Sequence, residues 1–389
     1  MSFELKALKD ICTIQIGKTP SRHENDFWRD GTHAWLSIAD MNQGRYLTCT
    51  KEYITDLGVK ASNIRLIPKN TLVLSYKLSI GKVGITQKPM YTNEAIASLT
   101  ELDSQVDINY LYWALQHIDL LENADRAAMG KTLNKAKLSE VKIPLPPLTE
   151  QRRIASILDQ ADELRQKRQQ AIEKLDQLLQ ATFIDMFGDP VSNPKGWDLK
   201  PVGEISESKL GKMLDKKKQS SENDQYKYLR NANVQWFRFD LSDVFEMEFN
   251  EKDRKNCELK FGDILVCEGG EPGRAAIWKN DLENCFFQKA LHRVRLDMTQ
   301  ILPEYFVWLF WFYSKNGGFD DHITVATIAH LTGVKMKAMQ VPIPPLSMQE
   351  EFQQKVNEIE VLKTTLENSS KLFESLFSSL QNQAFKGTL

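Results

Sequence analysis

Two long stretches of the chain carry apolar residues at intervals that alternate between four and three positions, a spacing typical of a helix with one buried stripe. Seven of ten stripe positions are apolar in the first stretch and eight of ten in the second. The positions are Ile154, Leu158, Ala161, Arg165, Arg168, Ile172, Leu175, Leu179, Thr182 and Met186, then Phe352, Val356, Ile359, Lys363, Leu366, Ser370, Phe373, Phe377, Leu380 and Ala384. A stripe on a lone helix stays exposed, so we expect the two helices to pair as a coiled coil. The segment between them brings the chain back, which favours antiparallel pairing.

Both predicted helices have marked beginnings. Proline pairs at Pro146-Pro147 and Pro344-Pro345 stop the preceding structure, and Thr149 and Ser347 follow at the expected N-cap positions. The three residues after Ser347 complete a capping-box pattern.

The ends of the helices are marked by glycine, which favours the left-handed conformation that closes a helix. These glycines are Gly188, in the sequence Gly-Asp-Pro, and Gly387, which follows a lysine. From Thr149 to Phe187 the first helix is expected to extend for roughly 58 Å, at about 1.5 Å per residue.

The segments outside the helices predict mixed α+β domains. Short β-rich runs, such as residues 70–76 and 263–267, lie between Gly, Pro and Asn turns, and shorter helical patterns surround Tyr110 and Tyr305.

The second half of the chain repeats the first. Residues 3–18 align with 197–212 at an offset of 194, and Tyr110 aligns with Tyr305 at 195. The sequence IPLPPLTEQ from Ile143 aligns with VPIPPLSMQ from Val341 at 198. Offsets that drift so little over the whole chain indicate a tandem duplication. We therefore predict a domain at 1–148, a helix at 149–188, a second domain at 189–346 and a second helix at 347–389.

Composition indicates a globular chain with more than one domain. It has 389 residues, of which 42% are hydrophobic and 26% charged. It contains no stretch of eighteen apolar residues and no signal-peptide pattern at its start, so we expect a cytoplasmic protein. The five scattered cysteines are never spaced C-x-x-C and are expected to be buried thiols.

The sequence contains no recognisable catalytic motif. The Gly-Lys-Thr sequences at Gly17 and Gly130 lack the upstream glycine of a phosphate-binding loop, and the Gly-rich run 268–274 is expected to be a turn. The six histidines show no metal-binding spacing, so neither a metal nor another cofactor is predicted.

Basic, amide and hydroxyl side chains in turn-rich segments remain as candidates for DNA contact, because such groups bind phosphates and read base edges. The total of 50 basic against 52 acidic residues means that any DNA-facing surface must be a local patch. The candidates are Lys18, Thr19, Ser21, Arg22, Lys77, Ser79, Lys82, Lys131 and Thr132 in the first copy and Lys212, Lys216, Lys217, Arg230, Asn231, Asn233, Gln235, Trp236 and Arg274 in the second.

These motifs together resemble the specificity subunit of type I restriction-modification systems. The resemblance rests on Gly-Lys-Thr-Pro-Ser from Gly17, on Trp35-Leu36 with Ala39-Asp40-Met41, and above all on the two Pro-Pro-Leu-x-x-Gln helix starts. The second copy departs from it in reading Met213-Leu214-Asp215 in place of Thr-Pro-Ser. The departure implies that the two domains read different sequences.

The resemblance implies a non-enzymatic subunit that contributes to phage defence. Each domain would be a target recognition domain that reads one half of a bipartite site in double-stranded DNA, with the helices as spacers. Two adenine methyltransferase subunits and translocating restriction subunits are the implied partners, and they would carry out methylation or restriction.

Two alternatives stay open from the residues alone. One is a restriction enzyme polypeptide with its own catalytic site, although neither an N-P-P-[FY] element nor a Gly-rich cofactor loop occurs. The other is a coiled-coil scaffold whose domains bind protein and not DNA.

Overall fold

The computed structural model describes residues 3–77, 79–120, 125–127, 130–214, 224–321, 324–325 and 329–389. The chain divides into two compact units. The first combines Met1–Gln169 with Asn368–Leu389, and the second is Gln170–Glu367. The first unit is therefore built from both ends of the chain.

The elements that begin in the first unit are short strands and helices followed by one long helix. They are β1 (Leu5–Ala7), α1 (Leu8–Ile11), β2 (Thr13–Ile16), β3 (His33–Leu36), β4 (Tyr46–Leu47), β5 (Glu52–Ile54), α2 (Asp56–Ser62), β6 (Leu72–Ser75), β7 (Val83–Thr86), β8 (Tyr91–Thr92), β9 (Ile96–Thr100), α3 (Ile108–His117), β10 (Asp125–Ala127), β11 (Gly130–Thr132), α4 (Lys135–Ser139), β12 (Lys142–Pro144) and α5 (Leu148–Phe187).

The elements that begin in the second unit follow the same plan. They are β13 (Asp198–Pro201), β14 (Ser206–Leu210), β15 (Gln225–Leu229), β16 (Val234–Gln235), β17 (Arg238–Phe239), β18 (Phe245–Glu248), α6 (Glu251–Cys257), β19 (Ile264–Cys267), β20 (Ala275–Ile277), β21 (Phe286–Phe287), β22 (Leu291–Leu296), α7 (Pro303–Lys315), β23 (Thr324–Val325), β24 (Ala329–His330), α8 (Gly333–Ala338), β25 (Gln340–Ile343) and α9 (Leu346–Lys386).

The sheet topologies of the two units correspond, except that β4 joins the main sheet of the first unit, whereas β17 of the second unit pairs with β16. The main sheet has the order β2-β9-β6-β7-β4 in the first unit and β14-β22-β19-β20 in the second. A second sheet has the order β5-β3-β8 in one unit and β18-β15-β21 in the other, with one antiparallel and one parallel pairing in each. The predicted mixed α+β architecture of two repeated domains is confirmed at this level.

The buried apolar positions of the main sheets explain the β-rich runs seen in the sequence. All four residues of β6 and all four of β19 are buried, which is typical of a strand covered on both faces. In each unit the short helix predicted near a tyrosine, α3 or α7, supplies buried side chains to the same core as the sheet. Among the described residues, every helix is too short or too polar to cross a lipid bilayer.

The long helices begin at Leu148 and Leu346, one residue before the predicted ranges, and each N-cap lies two residues before the predicted one. The carbonyl oxygen of Pro147 accepts the N–H of Gln151 at 3.0 Å, and that of Pro345 accepts the N–H of Gln349 at 3.3 Å. The second proline of each pair is therefore the N-cap residue. Thr149 and Ser347 lie inside the first turn, so their predicted capping role is wrong.

A buried glutamine side chain fixes each helix start to the globular part of its unit. The amide oxygen of Gln151 accepts the backbone N–H of Asp107 at 2.9 Å, and its Nε2 donates to the carbonyls of Gln105 and Pro146, both at 2.8 Å. Both Gln151 and its repeat partner Gln349 have no exposed surface. Each buried amide therefore has its own polar atoms satisfied by three backbone groups.

Gln349 makes the equivalent bonds in the second unit. Its amide oxygen accepts the N–H of Leu302 at 2.8 Å, and its Nε2 donates to the carbonyls of Gln300 and Pro344 at 3.1 and 2.8 Å. The tyrosine of each short helix adds a further brace, since Tyr110 and Tyr305 donate to the carbonyls of Pro144 and Pro342. The presence of the same tyrosine, proline and glutamine in both copies therefore has a structural cause.

The ends of the long helices agree with the sequence. Gly188 has a φ of +79° and Gly387 a φ of +73°, directly after the last residues of α5 and α9. The left-handed backbone at these positions suits glycine and closes each helix.

Two of the polar residues within the stripes, Arg165 and Lys363, form ion pairs between the helices. In the first unit, Arg165 of α5 lies 3.7 Å from Glu374 of α9 and 2.6 Å from Asp162. The repeat-equivalent Lys363 of α9 lies 2.6 Å from Asp176 of α5 in the second unit and 3.5 Å from Glu360. These cations interrupt the apolar stripe because each of them neutralises a carboxylate on both helices.

The last turns of α9 complete the core of the first unit. Phe377, Ala384 and Phe385 are buried in the cluster that contains α3 and the main sheet. The Phe385 ring lies 5.6 Å from that of Tyr110 and is stacked on His117 at 4.9 Å. The N-terminal globular part therefore depends on residues that lie at the other end of the chain.

Replacing Phe385 by alanine is expected to destabilise the first unit by about 3–5 kcal/mol, since it opens a cavity in that core. Hydrogen exchange under native conditions should become faster in α3 and unchanged in α7. Leu372→Ala, at an α9 position that is 69% exposed, is the matched control. Equal acceleration in α3 and α7 contradicts the assignment of the C-terminal turns to the first unit.

Candidate nucleic-acid interface

Four segments of the first unit meet at one end of the main sheet, where β2 and β6 end and β9 begins. The N–H of Leu133 donates to the carbonyl of Tyr76 at 3.1 Å, and the Tyr76 hydroxyl donates to the carbonyl of Glu94 at 2.9 Å. The side chain of Thr19 bonds to that of Glu94. The segments after β2, after β6, before β9 and before α4 are therefore held together as one surface.

The Gly-Lys pair at the start of this surface has a structural reason. A Cβ on Gly17 would lie 2.2 Å from the carbonyl oxygens of both Thr92 and Asn93, and one on Gly211 would lie 2.3 Å from that of Gln288. Only glycine permits so close an approach of two backbones. The motif thus marks a backbone crossing in both copies, not a phosphate-binding loop.

Some predicted residues of the first unit are available to a ligand. Lys18 and Ser21 are exposed, and Lys18 has no side-chain hydrogen bond or ion pair with the described residues. Lys77 is half-buried, with its Nζ 5.3 Å from the centre of the Tyr76 ring. Ser79 is exposed in the same turn, between β6 and β7.

Other predicted residues of the first unit are engaged within the protein. Arg22 makes an ion pair with Glu52 and lies 3.8 Å above the Trp28 ring. Lys82 donates to the side chain of Asn42 at 2.6 Å, and Thr19 is bonded to Glu94. These side chains stabilise the loops around the surface.

The other four predicted residues lie beside or within gaps between the described segments. Lys131 and Thr132 belong to β11, which pairs with β10 immediately before Leu133. That hairpin therefore borders the surface. Lys216 and Lys217 lie outside the described residues.

The second unit gathers the equivalent segments. The N–H of Leu331 donates to the carbonyl of Glu268 at 2.8 Å, as Leu133 does to Tyr76, and the N–H of Lys289 donates to the carbonyl of Lys212 at 2.8 Å. The Gly-rich run 268–274 connects β19 to β20 and is the hairpin turn that the sequence predicted.

Two of the predicted basic side chains in the second unit contact other residues of the same unit. The side chain of Lys212 is 19% exposed and lies 2.7 Å from Asp253. Arg230 lies 2.7 Å from Asp243, and its guanidinium carbon is 3.5 Å from the centre of the Phe245 ring. Both side chains would have to leave these contacts to reach a base.

The other predicted residues of the second unit form a hydrogen-bonded network under the Gly-rich turn. Arg274 donates to the carbonyl of Asn231 at 2.8 Å, and Asn231 donates to that of Gly269 at 2.9 Å. The indole of Trp236 donates to Glu271 at 2.7 Å. The remaining two, Asn233 and Gln235, donate to carbonyls of the neighbouring loop.

Lys289 is a basic residue of this surface that the sequence search did not select. It is exposed and follows β21 in the segment that contacts Lys212. Its repeat counterpart at an offset of 195 is Glu94, an acid, so a comparison of the two copies does not indicate a basic residue at this position. Its position became apparent only once the fold placed that segment beside Lys212.

The described residues offer no group of three or more His, Cys, Asp or Glu side chains placed to hold a metal ion. Burial raises the pKa of Cys12 to about 12 and that of Cys267 to about 11, so both stay protonated thiols. Four of the five cysteines are buried as predicted, but Cys49 is exposed and the prediction for it is wrong. Burial also lowers the pKa of His292, which favours the neutral ring.

The chain matches one family of known proteins. Residues 2–174 and 194–372 match the model of a family described as type I restriction modification DNA specificity domain. Each matched segment contains one globular part and part of one long helix.

Two individual specificity subunits match parts of this chain. The MjaIX specificity subunit of Methanocaldococcus jannaschii is 28% identical over 248 residues, which are 59% of this chain and 57% of that one. The EcoR124I/EcoR124II specificity subunit of Escherichia coli is 32% identical over 169 residues, 41% of each chain. The matches thus span about half the length of these relatives or less.

Two solved structures share the fold. The S subunit from M. genitalium matches with a TM-score of 0.56 and 15% identity, over 99% of this chain and 96% of that one. A chain from work on complex assembly and conformational transition of the type I R-M system matches with a TM-score of 0.63 and 15% identity, over 100% of this chain and 98% of that one.

Proposed function

Because the chain belongs to the family of type I restriction modification DNA specificity domains, we propose that it is the DNA-recognition subunit of a type I restriction-modification complex. Each globular part would read one half of a bipartite site in double-stranded DNA. The observation that carries this proposal is the repeat of one surface in both units, built on corresponding strands. Two similar surfaces with different side chains suit two half-sites of different sequence.

The distribution of charge supports recognition that is shared with other subunits. The chain has a formal net charge of −2, and the available lysines on the first surface are few. Phosphate contacts supply much of the affinity of a DNA-binding protein. Partner subunits that contact the same DNA would therefore contribute much of the binding energy, and they would carry the catalytic sites and cofactors that this subunit lacks under the proposal.

The long helices would act as an antiparallel coiled-coil spacer between the two recognition domains. The recognition domains would be residues 1–148 and 189–346, and the helices residues 149–188 and 347–389. In its support, α5 and α9 contact each other within each unit, and the ion pairs of Arg165 and Lys363 repeat at an offset of 198. Such polar pairs within an apolar seam fix the register of paired helices.

Exposed leucines on these helices fit two identical partners. Leu164 and Leu376 are 51% and 65% exposed in the first unit, and their repeat equivalents Leu362 and Leu178 are 54% and 51% exposed in the second. Under the proposal, these exposed leucines at equivalent places would offer similar contacts to two copies of one partner. We assign them to two adenine methyltransferase subunits, with translocating restriction subunits joining that complex in the cytoplasm.

Mapping of adenine methylation at base resolution, in cells that carry this chain with its partner subunits, tests the proposal. A bipartite motif with two unlike halves and a fixed gap is expected. Deleting the gene for this chain should remove that motif only. Methylation that persists without this chain contradicts the recognition role.

Shortening both helices by one heptad is expected to reduce the gap between the half-sites. Deletion of 168–174 together with 365–371 preserves the spacing of both stripes and shortens each helix by about 10 Å at about 1.5 Å per residue. That length corresponds to about three base pairs at about 3.4 Å each. Deleting 168–174 alone is the control and should abolish methylation, because it shifts one stripe against the other. An unchanged gap in the double deletion contradicts the spacer role.

Replacing Lys18 and Lys77 by alanine is expected to weaken binding to target and non-target DNA by similar factors. The slope of the logarithm of the binding constant against that of salt concentration should decrease by about 2, roughly one for each lost phosphate contact. Fluorescence anisotropy with the assembled complex at several salt concentrations measures both. Lys142→Ala, at an exposed position on β12, is the control. A loss confined to the target sequence contradicts phosphate contact.

A further inference from the structure

The second unit contains a pocket of about 390 Å³ lined by four aromatic rings, those of Trp236, Phe237, Trp308 and Trp311. The centre of the Phe237 ring lies 4.4 Å from that of Trp308, which in turn lies 5.6 Å from that of Trp311. The pocket therefore offers several π faces to an occupant.

Charged side chains of α5, α9 and β17 form much of the rest of the lining. The carboxylates are Asp176, Glu360 and Glu367, and the cations are Lys363 and Arg238. Lys363 is ion-paired with both Asp176 and Glu360, and Glu367 is exposed. Three carboxylates against two cations leave the pocket with negative charge.

The repeat shows what the first unit places at the corresponding position. Arg238 corresponds to Arg45 at an offset of 193, and Trp308 corresponds to Trp113 at 195. The guanidinium carbon of Arg45 lies 4.6 Å from the centre of the Tyr112 ring and 5.6 Å from that of Trp113. Its side chain is only 10% exposed and is ion-paired with Asp159. In the first unit the guanidinium group of the equivalent arginine is therefore packed internally, near the tryptophan that corresponds to Trp308.

The second unit does not pack its arginine in this way. Arg238 is exposed, and the residue that corresponds to Asp159 is Asn357, which carries no charge for it. Two glutamines of the first copy, Gln43 and Gln116, are replaced by Trp236 and Trp311. The changes remove the internal ion pair and add aromatic surface.

Phe237 is held in an unfavourable backbone conformation at this pocket. Its φ is +66°, and the corresponding residue of the first copy is Gly44, with a φ of +95°. A left-handed conformation is rare for a bulky side chain, and such strain clusters at ligand-binding sites. Here the strained backbone places the Phe237 ring against Trp308.

We propose that this pocket binds an arginine side chain of a partner protein. A guanidinium group is attracted to the faces of aromatic rings and pairs with carboxylates, and both are present. Arg45 of the first unit shows a guanidinium group near the tryptophan that corresponds to Trp308. A nucleic acid is disfavoured, because its phosphates would meet the carboxylates of the pocket.

Fluorine NMR of the full chain labelled with 5-fluorotryptophan tests the proposal, since the chain has 8 tryptophans. The probe is N-acetyl-arginine amide, and N-acetyl-citrulline amide is its neutral counterpart of the same shape. Saturable shifts of the signals of Trp236, Trp308 and Trp311 are expected with the arginine probe only. Trp278, buried in another cluster, serves as the internal reference. Equal shifts with citrulline, or no shifts with either probe, overturn the proposal.

Two variants separate binding from folding. Phe237→Gly removes the ring and restores the glycine of the first copy, so the chain should stay folded while the probe-induced shifts disappear. Phe261→Gly removes a ring that is 71% exposed outside the pocket and should leave the shifts intact. Glu367→Gln should weaken probe binding several-fold. Shifts that survive Phe237→Gly overturn the assignment. Since no DNA is present, the outcome does not depend on the proposed recognition function.

Discussion

The buried amide groups of Gln151 and Gln349 determine how each long helix leaves its globular part. Each amide bonds to backbone groups on both sides of the junction, two in the segment before the short helix and one in the turn before the long helix. Removing such a partner leaves buried polar groups unsatisfied, which costs about 1–3 kcal/mol for each group. The direction of the helix, and hence any distance that it sets, depends on this contact. Its repetition explains why the helix starts are the best-preserved sequences of the two copies.

Patterns local to the sequence predicted much of the fold, because they depend on neighbours along the chain. The stripe positions Leu158, Leu179 and Phe352 are buried as the four-three spacing requires. The first residue of each helix was placed one position late. The carbonyl that caps the helix belongs to a proline, and the hydroxyl of Thr149 or Ser347 gave a misleading cue.

The candidate site was less predictable, because it depends on contacts between residues far apart in the sequence. Arg274 looks like a free basic residue in a glycine-rich turn, but its guanidinium group donates to the carbonyl of Asn231, 43 positions earlier. Arg230 likewise meets Asp243 and Phe245 only after the strands have paired. Residue type identified the segments that surround each surface. Only the fold separates the side chains that support a loop from those, such as Lys18, that solvent reaches.

The assignment of the last turns of α9 to the first unit has a consequence for synthesis. The second unit is one continuous segment, Gln170–Glu367, whereas the first waits for Asn368–Leu389. Domains generally fold as units, starting with the N-terminal one as the ribosome delivers it. In this chain the order is reversed: the second unit has all of its residues first, and the first unit completes its core only after Asn368–Leu389 has been made. Until then, the part of the first core that Phe377, Ala384 and Phe385 cover stays exposed in the nascent chain.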